Sequence, residues 1–512
     1  MAYWDDGHSD PLQPVTPVTY GARVFAAITS VALVGVEPRP VRVEVHVGGS
    51  KPIFNLVGLP DTAIREAKER VRSALASSGY RFPNRRLTVN LAPADVPKAG
   101  SAYDLPIALG VLAASGAVPP AVTGVVALGE LALDGAVRAA RGGLAAGIVA
   151  ARAGVPCVLP EGSAVEASLV VAAEIRVADS LAAAVAAALG ERVVAPAALS
   201  PEPVEPAFDL GEVRGQAVAR RALEVAAAGA HHLLLCGPPG AGKTMLARCL
   251  PGILPPLDND DALQVAQAWA AGGRPRPPHA SPPFRSPHHS ATAAAVLGGG
   301  SGVPVPGELS LAHRGVLFLD ELGEFPPHLL DALRQPLEEG WVHVARKGVS
   351  VDFPCAVQLV AATNPCPCGY GDDRLVSCSC SPGALARYRR RLSGPLLDRI
   401  DLRVDAPRLT PDQLAGPGGE PSREVQARVA AARARQNARG ALNRDLGRTA
   451  LDGLPWSEDA NRMLEASAHR LAITARGWDR VRRVARTIAD LEGSPSVEER
   501  HITQALGFRG SG

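Results

Sequence analysis

Apolar and polar residues alternate along two stretches near the start of the chain. VRVEVHVGG at 41–49 and RRLTVNLAPAD at 85–95 place an apolar residue at nearly every second position, which is the period of a half-buried strand. Between them, DTAIREAKERVRSALASSG at 61–79 has apolar residues at helical spacing and ends in a glycine. DLPIALGVLAASG, VVALGEL and GGLAAGIVAARAG then predict a helix, a strand and a second helix. Together these patterns predict an α+β domain at 21–194.

Short, continuous apolar runs replace this alternation farther along the chain. LLLC at 233–236, GVLFL at 315–319 and AVQLVAATN at 356–364 are typical of strands that are buried on both faces of a parallel sheet. They predict a second, α/β domain at 208–406. Because APAALSPEPVEP is rich in proline, we expect residues 195–207 to form a stiff linker between the two domains.

Composition changes this picture only in its outer limits. A chain of 512 residues suggests roughly three domains of about 150 residues each, and an apolar fraction of 46% supports buried cores. The formal net charge is only +2, so any nucleic-acid surface must be local. Residues 1–20 are polar and lack the features of a signal peptide, which predicts a disordered tail. We find no uninterrupted apolar run of about 18 residues and expect a soluble, cytoplasmic protein with no membrane partner.

The clearest chemical motif follows the strand LLLC directly. GPPGAGKT fits G-x-x-x-x-G-K-[ST], and the helix-forming run MLARCL comes next, which is the strand-loop-helix context of a phosphate-binding P-loop. Its backbone N–H groups would surround phosphate oxygens, Lys243 would reach the β- and γ-phosphates, and Thr244 would offer its hydroxyl to Mg²⁺. The pattern therefore predicts ATP and Mg²⁺ as cofactors. The predicted nucleotide-binding residues are Gly237, Pro238, Pro239, Gly240, Ala241, Gly242, Lys243, Thr244 and Met245.

Polar residues at the ends of the next two apolar strands complete the predicted site. Asp320 and Glu321 follow GVLFL and suit a Walker B element, in which Asp320 holds Mg²⁺ and Glu321 polarises the attacking water. An acidic pair that caps a strand is the ordinary alternative. Asn364 follows AVQLVAAT and would orient that water, although a turn asparagine before Pro365 explains it as well.

Four of the eight cysteines crowd into one short stretch. A C-x-C pair, nine residues and a second C-x-C pair suit tetrahedral Zn²⁺ as a structural staple, while free thiols and a redox pair remain alternatives because C-x-x-C spacing is more usual for zinc. The four residues are Cys366, Cys368, Cys378 and Cys380. His288 and His289 lack partner ligands at helical spacing, so we expect a loop near the nucleotide or a pore there rather than a metal site.

Several longer strings resemble one family. GPPGAGKT, VLFLDE, AATNPCPCG and SGPLLDRIDL resemble the magnesium-chelatase-like AAA+ ATPases of the YifB/ComM type, over about residues 22–508. The stretch from FRSPHHS to VLFLDEL, at 284–322, resembles the hallmark of that family. The resemblance implies a homo-hexameric ring with ATP between subunits. It also implies an N-terminal domain like that of Lon protease and ribosomal protein S5, an AAA+ core with a magnesium-chelatase-type insert, and a helical lid at 407–512.

The resemblance also gives roles to residues outside the P-loop. Arg399 in LLDRID resembles the arginine finger that reaches the ATP of a neighbouring subunit. Arg476 in TARGWDR resembles sensor 2, a lid arginine that touches phosphate within its own subunit. Arginines 480, 482 and 483 lie close by, and solvated helix arginines are the alternative. Gln216 resembles a residue of the turn that packs near adenine.

The first domain lacks the catalytic pair of the protease that it resembles. Lon-type proteolysis uses a serine that is activated by a lysine. Ala102 stands where that serine belongs, with Ser101 beside it, and the helix at 142–154 contains no lysine. We therefore expect a scaffold without peptidase activity.

A cationic hairpin is the predicted contact with DNA. WVHVARKGVSVDFP at 341–354 has a tip at Arg346, Lys347 and Gly348, in the position where the related MCM helicases place a pore hairpin. Six such tips would line a ring channel, although exposed charges that serve solubility are the alternative. The predicted function is a hexameric AAA+ motor that moves on DNA in recombination or DNA uptake. The alternatives are a magnesium chelatase motor subunit and a regulatory ATPase with a protein partner.

Overall fold

The chain folds into two compact units. The first comprises Met1–Pro201 with Leu263–Arg276, and the second Glu202–Ala262 with Pro277–Gly512. The computed structural model describes residues 19–20, 23–58, 61–98, 100–191, 194–195, 208–274, 280–300, 303–346, 349–371, 373, 375–392 and 396–509. The predicted tail at 1–20 and the predicted linker at 195–207 lie almost wholly outside these residues.

A mixed sheet of eight strands forms the framework of the first unit, in the order β10-β9-β6-β2-β3-β5-β4 with β1 beside β2. Strands β2, β3 and β5 are antiparallel, whereas β6, β9 and β10 are parallel. The strands of the unit, including the separate β7–β8 hairpin, are β1 (Thr19–Tyr20), β2 (Arg23–Val34), β3 (Glu37–Gly48), β4 (Phe54–Val57), β5 (Arg86–Ala92), β6 (Val126–Ala127), β7 (Glu130–Leu131), β8 (Val137–Arg138), β9 (Cys157–Leu159) and β10 (Ile175–Val177).

Helices from the described part of this unit pack on and around the sheet. They are α1 (Thr62–Arg65), α2 (Ala67–Ser77), α3 (Asp104–Ala114), α4 (Gly143–Ala153), α5 (Glu161–Ala167) and α6 (Leu181–Leu189). The alternation of β3 is confirmed, because Val41, Val43 and Val45 are fully buried between more exposed residues. The predicted helix at 61–79 is interrupted once, between α1 and α2. Every residue of α3 is buried, which explains its continuous apolar sequence.

One helix joins the first unit from a distant part of the sequence. Helix α9 (Asn259–Ala271) begins in the second unit, and its residues from Leu263 onward belong to the first. There Ala266 packs in a small hydrophobic cluster with Leu144 and Ile148 of α4. The sequence pattern did not predict this exchange.

A five-stranded sheet is the centre of the second unit. Its order is β12-β15-β18-β11-β19, and all of its pairs are parallel. The strands are β11 (Leu233–Cys236), β12 (Phe284–Arg285), β15 (Val316–Leu319), β18 (Gln358–Thr363) and β19 (Leu402–Asp405); the small pairs outside it are β13 (Gly298–Gly299) with β14 (Val305–Pro306) and β16 (Trp341–Arg346) with β17 (Val349–Pro354). The predicted buried strands β11, β15 and β18 and the predicted hairpin β16–β17 are therefore confirmed.

Parallel pairing gives this sheet two chemically different edges. The carboxyl ends of β11, β15 and β18 lead into Gly237, Asp320 and Asn364, so these residues lie at one edge. The amino ends of β11 and β19 place His232 and Asp401 at the opposite edge. A strand of four residues such as β11 spans about 13 Å at 3.3 Å per residue, which is the separation between the edges.

Helices on both sides of the sheet share one core with the helices of the predicted lid. Val429 of α16, Leu464 of α18 and Ile488 of α19 lie in the same buried cluster as Leu246 of α8 and Phe318 of β15. The helices of the unit are α7 (Ala217–Gly229), α8 (Lys243–Ile253), α10 (Ala293–Leu297), α11 (Glu308–Leu311), α12 (Pro327–Ala332), α13 (Arg334–Glu339), α14 (Pro382–Leu392), α15 (Pro411–Ala415), α16 (Ser422–Ala438), α17 (Arg448–Asp452), α18 (Glu458–Arg470), α19 (Ala475–Leu491) and α20 (Glu499–Gly507). Within the described ranges, none of the helices combines the length and the apolar character that crossing a lipid bilayer requires.

Candidate active site

The P-loop occupies the carboxyl edge of the sheet, between β11 and α8. A Cβ at Gly237 would collide with the carbonyl oxygen of Ala406, and Gly240 and Gly242 have positive φ angles of 77° and 85°. Only glycine adopts these backbone conformations without strain, so the three glycines allow the tight turn into α8. The predicted P-loop geometry is thus present.

Lys243 is a buried cation whose contacts are neutral. Its side chain donates hydrogen bonds to the carbonyl oxygens of Gly237 (2.7 Å) and Pro238 (3.0 Å) and to Oδ1 of Asn364 (3.1 Å). The residue is only 9% exposed, and burial lowers the pKa of its ammonium group. A buried charge with neutral acceptors is costly unless an anion compensates it, so Lys243 fits a phosphate group.

Thr244 and Asp320 form the pair of oxygen ligands that Mg²⁺ would require. The Thr244 hydroxyl donates to Oδ2 of Asp320 at 2.7 Å, and Oδ1 of Asp320 accepts from the backbone N–H of Glu321 at 3.0 Å. Hydroxyl and carboxylate oxygens are hard ligands of the kind that Mg²⁺ prefers. The structure therefore brings the predicted magnesium ligands together.

Glu321 follows in a strained backbone conformation that turns the chain away from β15. Its φ angle is 52°, in the left-handed region. Its carboxylate lies 3.4 Å from Nδ1 of His289, whose ring stacks on His288 with a centroid distance of 4.0 Å and meets Phe325 edge-on. The histidine pair therefore lies beside the predicted catalytic glutamate, and its expected position near the nucleotide or a pore stays a prediction.

Asn364 is fixed from both ends. Its side-chain oxygen accepts from Lys243, and its backbone carbonyl accepts from the hydroxyl of Tyr388 on α14 at 3.0 Å. The same hydroxyl lies 3.0 Å from Oγ1 of Thr363. Sequence reasoning missed Tyr388, because nothing in the ARYRRRL run distinguishes it as a contact of the nucleotide site.

Gln216 ties the P-loop to the segment that follows β19. Its side-chain amide donates to the carbonyl oxygens of Ala241 (3.0 Å) and Pro407 (2.8 Å). The residue has a φ angle of 48° and caps the start of α7. Met245 is half-buried and packs against the common core behind the loop. Both predicted binding residues therefore lie at the P-loop.

The four clustered cysteines converge beside this site. Their sulfur atoms all lie within 4.8 Å of one another, and Sγ of Cys366 is 3.3 Å from that of Cys368 and 3.7 Å from that of Cys378. The backbone N–H of Cys368 donates to Sγ of Cys380 at 3.3 Å. A neighbouring N–H group, that of Tyr370, lowers the pKa of the Cys368 thiol to about 6. Four convergent sulfur ligands could hold a tetrahedral metal ion such as zinc.

The other cysteines behave as core residues, as expected. Cys157, Cys249 and Cys355 are buried, and Cys236 is half-buried at the end of β11. Burial raises the pKa values of Cys249 and Cys355 to about 12, so their thiols stay protonated at neutral pH.

Arg399 and Arg476 lie at the opposite edge of the sheet. Both line a cleft of about 1190 Å³ together with Arg480, and residues of α13, α16 and the start of α19 contribute to its walls. Arg399 forms an ion pair with Glu338 at 2.5 Å. The structure thus brings the two predicted arginines together and separates them from the P-loop of the same chain. The within-subunit contact expected for Arg476 stays a prediction that this placement does not support.

The neighbouring arginines of α19 have structural partners. Arg480 donates to the carbonyl oxygen of Asp398, directly before Arg399. Arg482 pairs with Asp452 at 2.7 Å and lies over the ring of Trp456, and Arg483 donates to the carbonyl of Leu446. The side chain of Arg476 is exposed in the first turn of α19. These contacts favour Arg476 over Arg482 and Arg483 as the arginine that is available to a ligand.

A buried polar cluster supports the turn that carries Arg399. Oδ2 of Asp401 accepts from the backbone N–H of His232 (3.2 Å) and lies 3.4 Å from Nδ1 of His231. Burial would raise the pKa of Asp401, but the adjacent side chain of His231 and the charge of Arg480 outweigh it and lower that pKa to about 2. His231 also meets Thr487 of α19 at 2.7 Å. The turn before β19 is therefore fixed to both the sheet and α19.

The remaining predicted sites are only partly described. Arg346 is exposed at the end of β16 and pairs with Val349, while Lys347 lies outside the described residues. In the first unit, the hydroxyl of Ser101 donates to the carboxylate of Glu130. Lys98 is buried and donates to the carbonyl oxygen of Pro93. Because Lys98 lies outside the 142–154 helix, the sequence-based prediction did not consider it. Ser101 and Lys98 thus form hydrogen bonds with different partners. The absence of peptidase activity stays a prediction.

The second unit has the architecture of a P-loop nucleotide-binding ATPase, since a parallel sheet carries the phosphate loop, the magnesium ligands and a glutamate at its carboxyl edge. The chain belongs to the YifB/ComM-type family of magnesium-chelatase-like proteins. It is 42% identical over 498 residues to the "Uncharacterized protein YifB" of Salmonella typhimurium, which covers 95% of this chain and 97% of the relative. It is 40% identical over 503 residues to the "Competence protein ComM" of Haemophilus influenzae, with coverage of 95% and 97%.

Three family models match successive parts of the chain. "Subunit ChlI of Mg-chelatase" matches residues 43–163, "Magnesium chelatase, subunit ChlI" matches 209–414, and "Magnesium chelatase, subunit ChlI C-terminal" matches 419–509. The "Magnesium-chelatase subunit ChlI" of Chlorella vulgaris is 40% identical over only 60 residues, or 12% of this chain and 17% of the relative. Membership of this AAA+ family implies an ATPase that uses ATP and Mg²⁺.

Proposed function

We propose that this chain is the subunit of a homo-hexameric AAA+ motor that hydrolyses ATP and moves on DNA. One observation carries the proposal: the phosphate-binding groups and the arginine pair lie at opposite edges of the same sheet. A single chain cannot close such a site, whereas a head-to-tail ring places the arginine edge of each subunit against the P-loop edge of the next.

The residues at the carboxyl edge bind and orient the nucleotide. Bound ATP with Mg²⁺ supplies the phosphoanhydride bond that is cleaved and the cation that neutralises its oxygens. The ammonium group of Lys243 would turn from backbone carbonyls to phosphate oxygens, and Thr244 and Asp320 would hold the metal. Glu321 accepts the proton of the attacking water, and Asn364 orients that water from the adjacent strand.

The residues at the amino edge act on the nucleotide of the neighbour. Arg399 leaves Glu338 and places its guanidinium against the γ-phosphate, where negative charge develops as the bond breaks. Arg476, at the start of α19, lines the same cleft as Arg399, so we expect it to act on the nucleotide of the neighbouring subunit as well. Because both arginines come from another chain, hydrolysis depends on assembly.

DNA is the proposed polymer in the channel of the ring. Arg346 is exposed at the end of β16, and with Lys347 it would give each subunit two cationic contacts to the phosphate backbone. The Haemophilus influenzae relative is called a competence protein, which supports a role in DNA uptake or recombination. We place the protein in the cytoplasm, where both DNA and ATP are present.

We also propose that one Zn²⁺ binds Cys366, Cys368, Cys378 and Cys380. The convergence of their sulfur atoms carries this proposal. Metal analysis of the purified protein tests it, with about one zinc per chain expected and loss of zinc expected in Cys378→Ser.

The magnesium chelatase motor is the second candidate function, because the ChlI family models match most of the chain. ATP turnover measured with single-stranded, duplex and branched DNA separates the two. We expect DNA to stimulate turnover severalfold. If DNA has no effect and partner subunits support porphyrin metalation, the DNA motor is the wrong function.

A further inference from the structure

The cysteine loop, which we define as the described residues of 366–380, packs directly on the nucleotide site. It connects β18, which ends at Thr363, to α14, which begins at Pro382. No helix or strand lies between these two elements in the described residues. Three separate contacts nevertheless hold the loop against the residues that surround the P-loop.

The first contact is a glycine that lies on the P-loop itself. Gly369 has a φ angle of 88°, and a Cβ at this position would lie 2.6 Å from Cδ of Pro239. The backbone N–H of Gly369 donates to the carbonyl of Cys366 at 2.9 Å, which forms the turn between the first two cysteines. This turn therefore touches the phosphate loop so closely that only glycine fits.

The second contact is between the cysteine loop and the segment around Asn364, which directly precedes the loop in the chain. Cys366 is buried two residues after Asn364, whose side chain accepts from Lys243. A Cβ at Gly371 would lie 3.3 Å from Sγ of Cys366, so the loop closes tightly around this sulfur. A Cβ at Gly369 would also lie 4.0 Å from Cγ of Asn364, so the loop packs beside the amide of Asn364.

The third contact fixes the far side of the loop. Arg408 donates to Asp373 at 3.0 Å, and its guanidinium lies 5.8 Å from the ring centroid of Tyr370. Arg408 follows Pro407, whose carbonyl accepts from Gln216, and Gln216 also binds the P-loop at Ala241. The loop is thus joined to both ends of the phosphate-binding turn.

A segment without helix or strand does not hold such a position by backbone hydrogen bonds alone, because its conformational entropy opposes order. Four sulfur ligands on one metal ion would close the loop covalently at both ends and remove most of this freedom. The sulfur atoms are already close enough to one another for a single ion.

We propose that the metal-bound cysteine loop is one wall of the ATP site, so that zinc occupancy determines nucleotide affinity. The inference rests on the proposed ATPase function and extends it, because the metal would act through Pro239 and Asn364 without touching ATP. It gives the cysteines a positioning role. No catalytic role is assigned to them.

Two variants separate the metal from the contact. Cys378→Ser removes an exposed ligand, and Gly369→Ala leaves all four ligands but introduces a Cβ against Pro239. Gly79→Ala is the matched control, because Gly79 also has a positive φ angle (81°) and a Cβ there meets no atom within 4 Å. Zinc content is measured by elemental analysis and ATP affinity by titration with a fluorescent ATP analogue in the full-length protein.

We expect Cys378→Ser to lose zinc and at least tenfold in ATP affinity, which is about 1.4 kcal/mol. Gly369→Ala should keep its zinc and still lose at least about tenfold in affinity, while Gly79→Ala should match the wild type in both. If Cys378→Ser fails to fold, zinc is instead removed from the folded wild type with a chelator, and its return should restore ATP binding.

The outcomes distinguish this inference from the proposals beneath it. A zinc-free protein that binds ATP with wild-type affinity overturns the inference, although both the ATPase and the zinc site stand. A wild type that binds ATP but never contains zinc overturns the inference and the zinc site. A zinc-loaded wild type that binds no ATP overturns the proposed function as well.

Discussion

The two edges of the five-stranded sheet carry different charged residues of the proposed ATPase site. At the carboxyl edge, Lys243 is buried against neutral oxygens, and Thr244 and Asp320 are joined as a ligand pair. At the amino edge, Arg399 already has a carboxylate partner in Glu338 and lies beside Arg476 in an open cleft. The carboxyl edge therefore combines a buried lysine with oxygen ligands, whereas at the amino edge Arg399 must leave Glu338 before it can reach another anion.

This difference explains why we expect ATP hydrolysis to require assembly of the ring. A P-loop with no arginine can bind ATP, because its own lysine and backbone groups supply the phosphate contacts. Rapid hydrolysis requires charge compensation at the γ-phosphate, and in the proposed ring Arg399 of a second chain supplies it.

Loss of the arginine edge should have the largest effect on turnover. We expect Arg399→Ala to lower kcat by about 10³-fold or more, the usual contribution of an arginine finger, while ATP affinity changes little because the P-loop is intact. Steady-state turnover and binding of a fluorescent ATP analogue measure the two effects. Arg389→Ala, which changes an exposed arginine of α14, is the control and should resemble the wild type. A large loss of ATP binding in Arg399→Ala would place this arginine at its own P-loop instead.

Changes at the carboxyl edge should separate binding from hydrolysis. Glu321→Gln should bind ATP normally and turn over about 10²- to 10⁴-fold more slowly, because it loses only the general base. Lys243→Ala should lose ATP binding itself, since the buried ammonium is removed from the phosphate cradle. The same assays apply. Wild-type turnover in either variant would show that ATP is hydrolysed elsewhere.

The sequence predicted the carboxyl edge better than the amino edge, and the reason is physical. The carboxyl edge depends on contiguous residues, so the GPPGAGKT string and the acids after GVLFL were sufficient to predict it. The amino edge is assembled from α13, the turn at Arg399 and α19, which are far apart in sequence. Only the family resemblance indicated Arg399, and no pattern indicated its partner Glu338.

Long-range packing explains the other omissions. Tyr388 reaches Asn364 from 24 residues away, and α9 leaves its own unit to pack on α4. Local periodicity contains no information about either contact. By contrast, the alternation of β3 and the apolar runs of β11 and β15 predicted their strands, since burial on one or both faces is recorded directly in the residue pattern.

The hairpin should affect DNA response and leave the nucleotide edges unchanged. Replacing Arg346 and Lys347 with alanine should abolish DNA stimulation while basal turnover stays near that of the wild type. DNA affinity measured against salt concentration should show a shallower slope, because each lost phosphate contact changes the slope by about 0.9 for duplex DNA. Unchanged affinity, slope and stimulation would exclude the hairpin as the DNA contact.

Release of Arg399 from its partner should produce the smallest effect. Glu338 is about half exposed, and exposed ion pairs contribute about 0.2–1 kcal/mol. Glu338→Gln should therefore raise turnover by no more than about fivefold, because Arg399 becomes easier to transfer to the γ-phosphate. Turnover at saturating ATP measures this change. A strong loss of activity would mean that Glu338 orients Arg399 productively.

The most direct test of the two-edge account mixes subunits that lack opposite edges. Rings made only of Lys243→Ala or only of Arg399→Ala subunits should be inactive. Equal mixing creates interfaces in which an intact P-loop meets an intact arginine, at about one quarter of all positions in a head-to-tail ring. We predict that ATP turnover recovers to about that fraction of the wild-type rate, with mixing verified by native mass spectrometry. Rings that are demonstrably mixed and still inactive would contradict the account, since each chain would then need both edges for its own ATP.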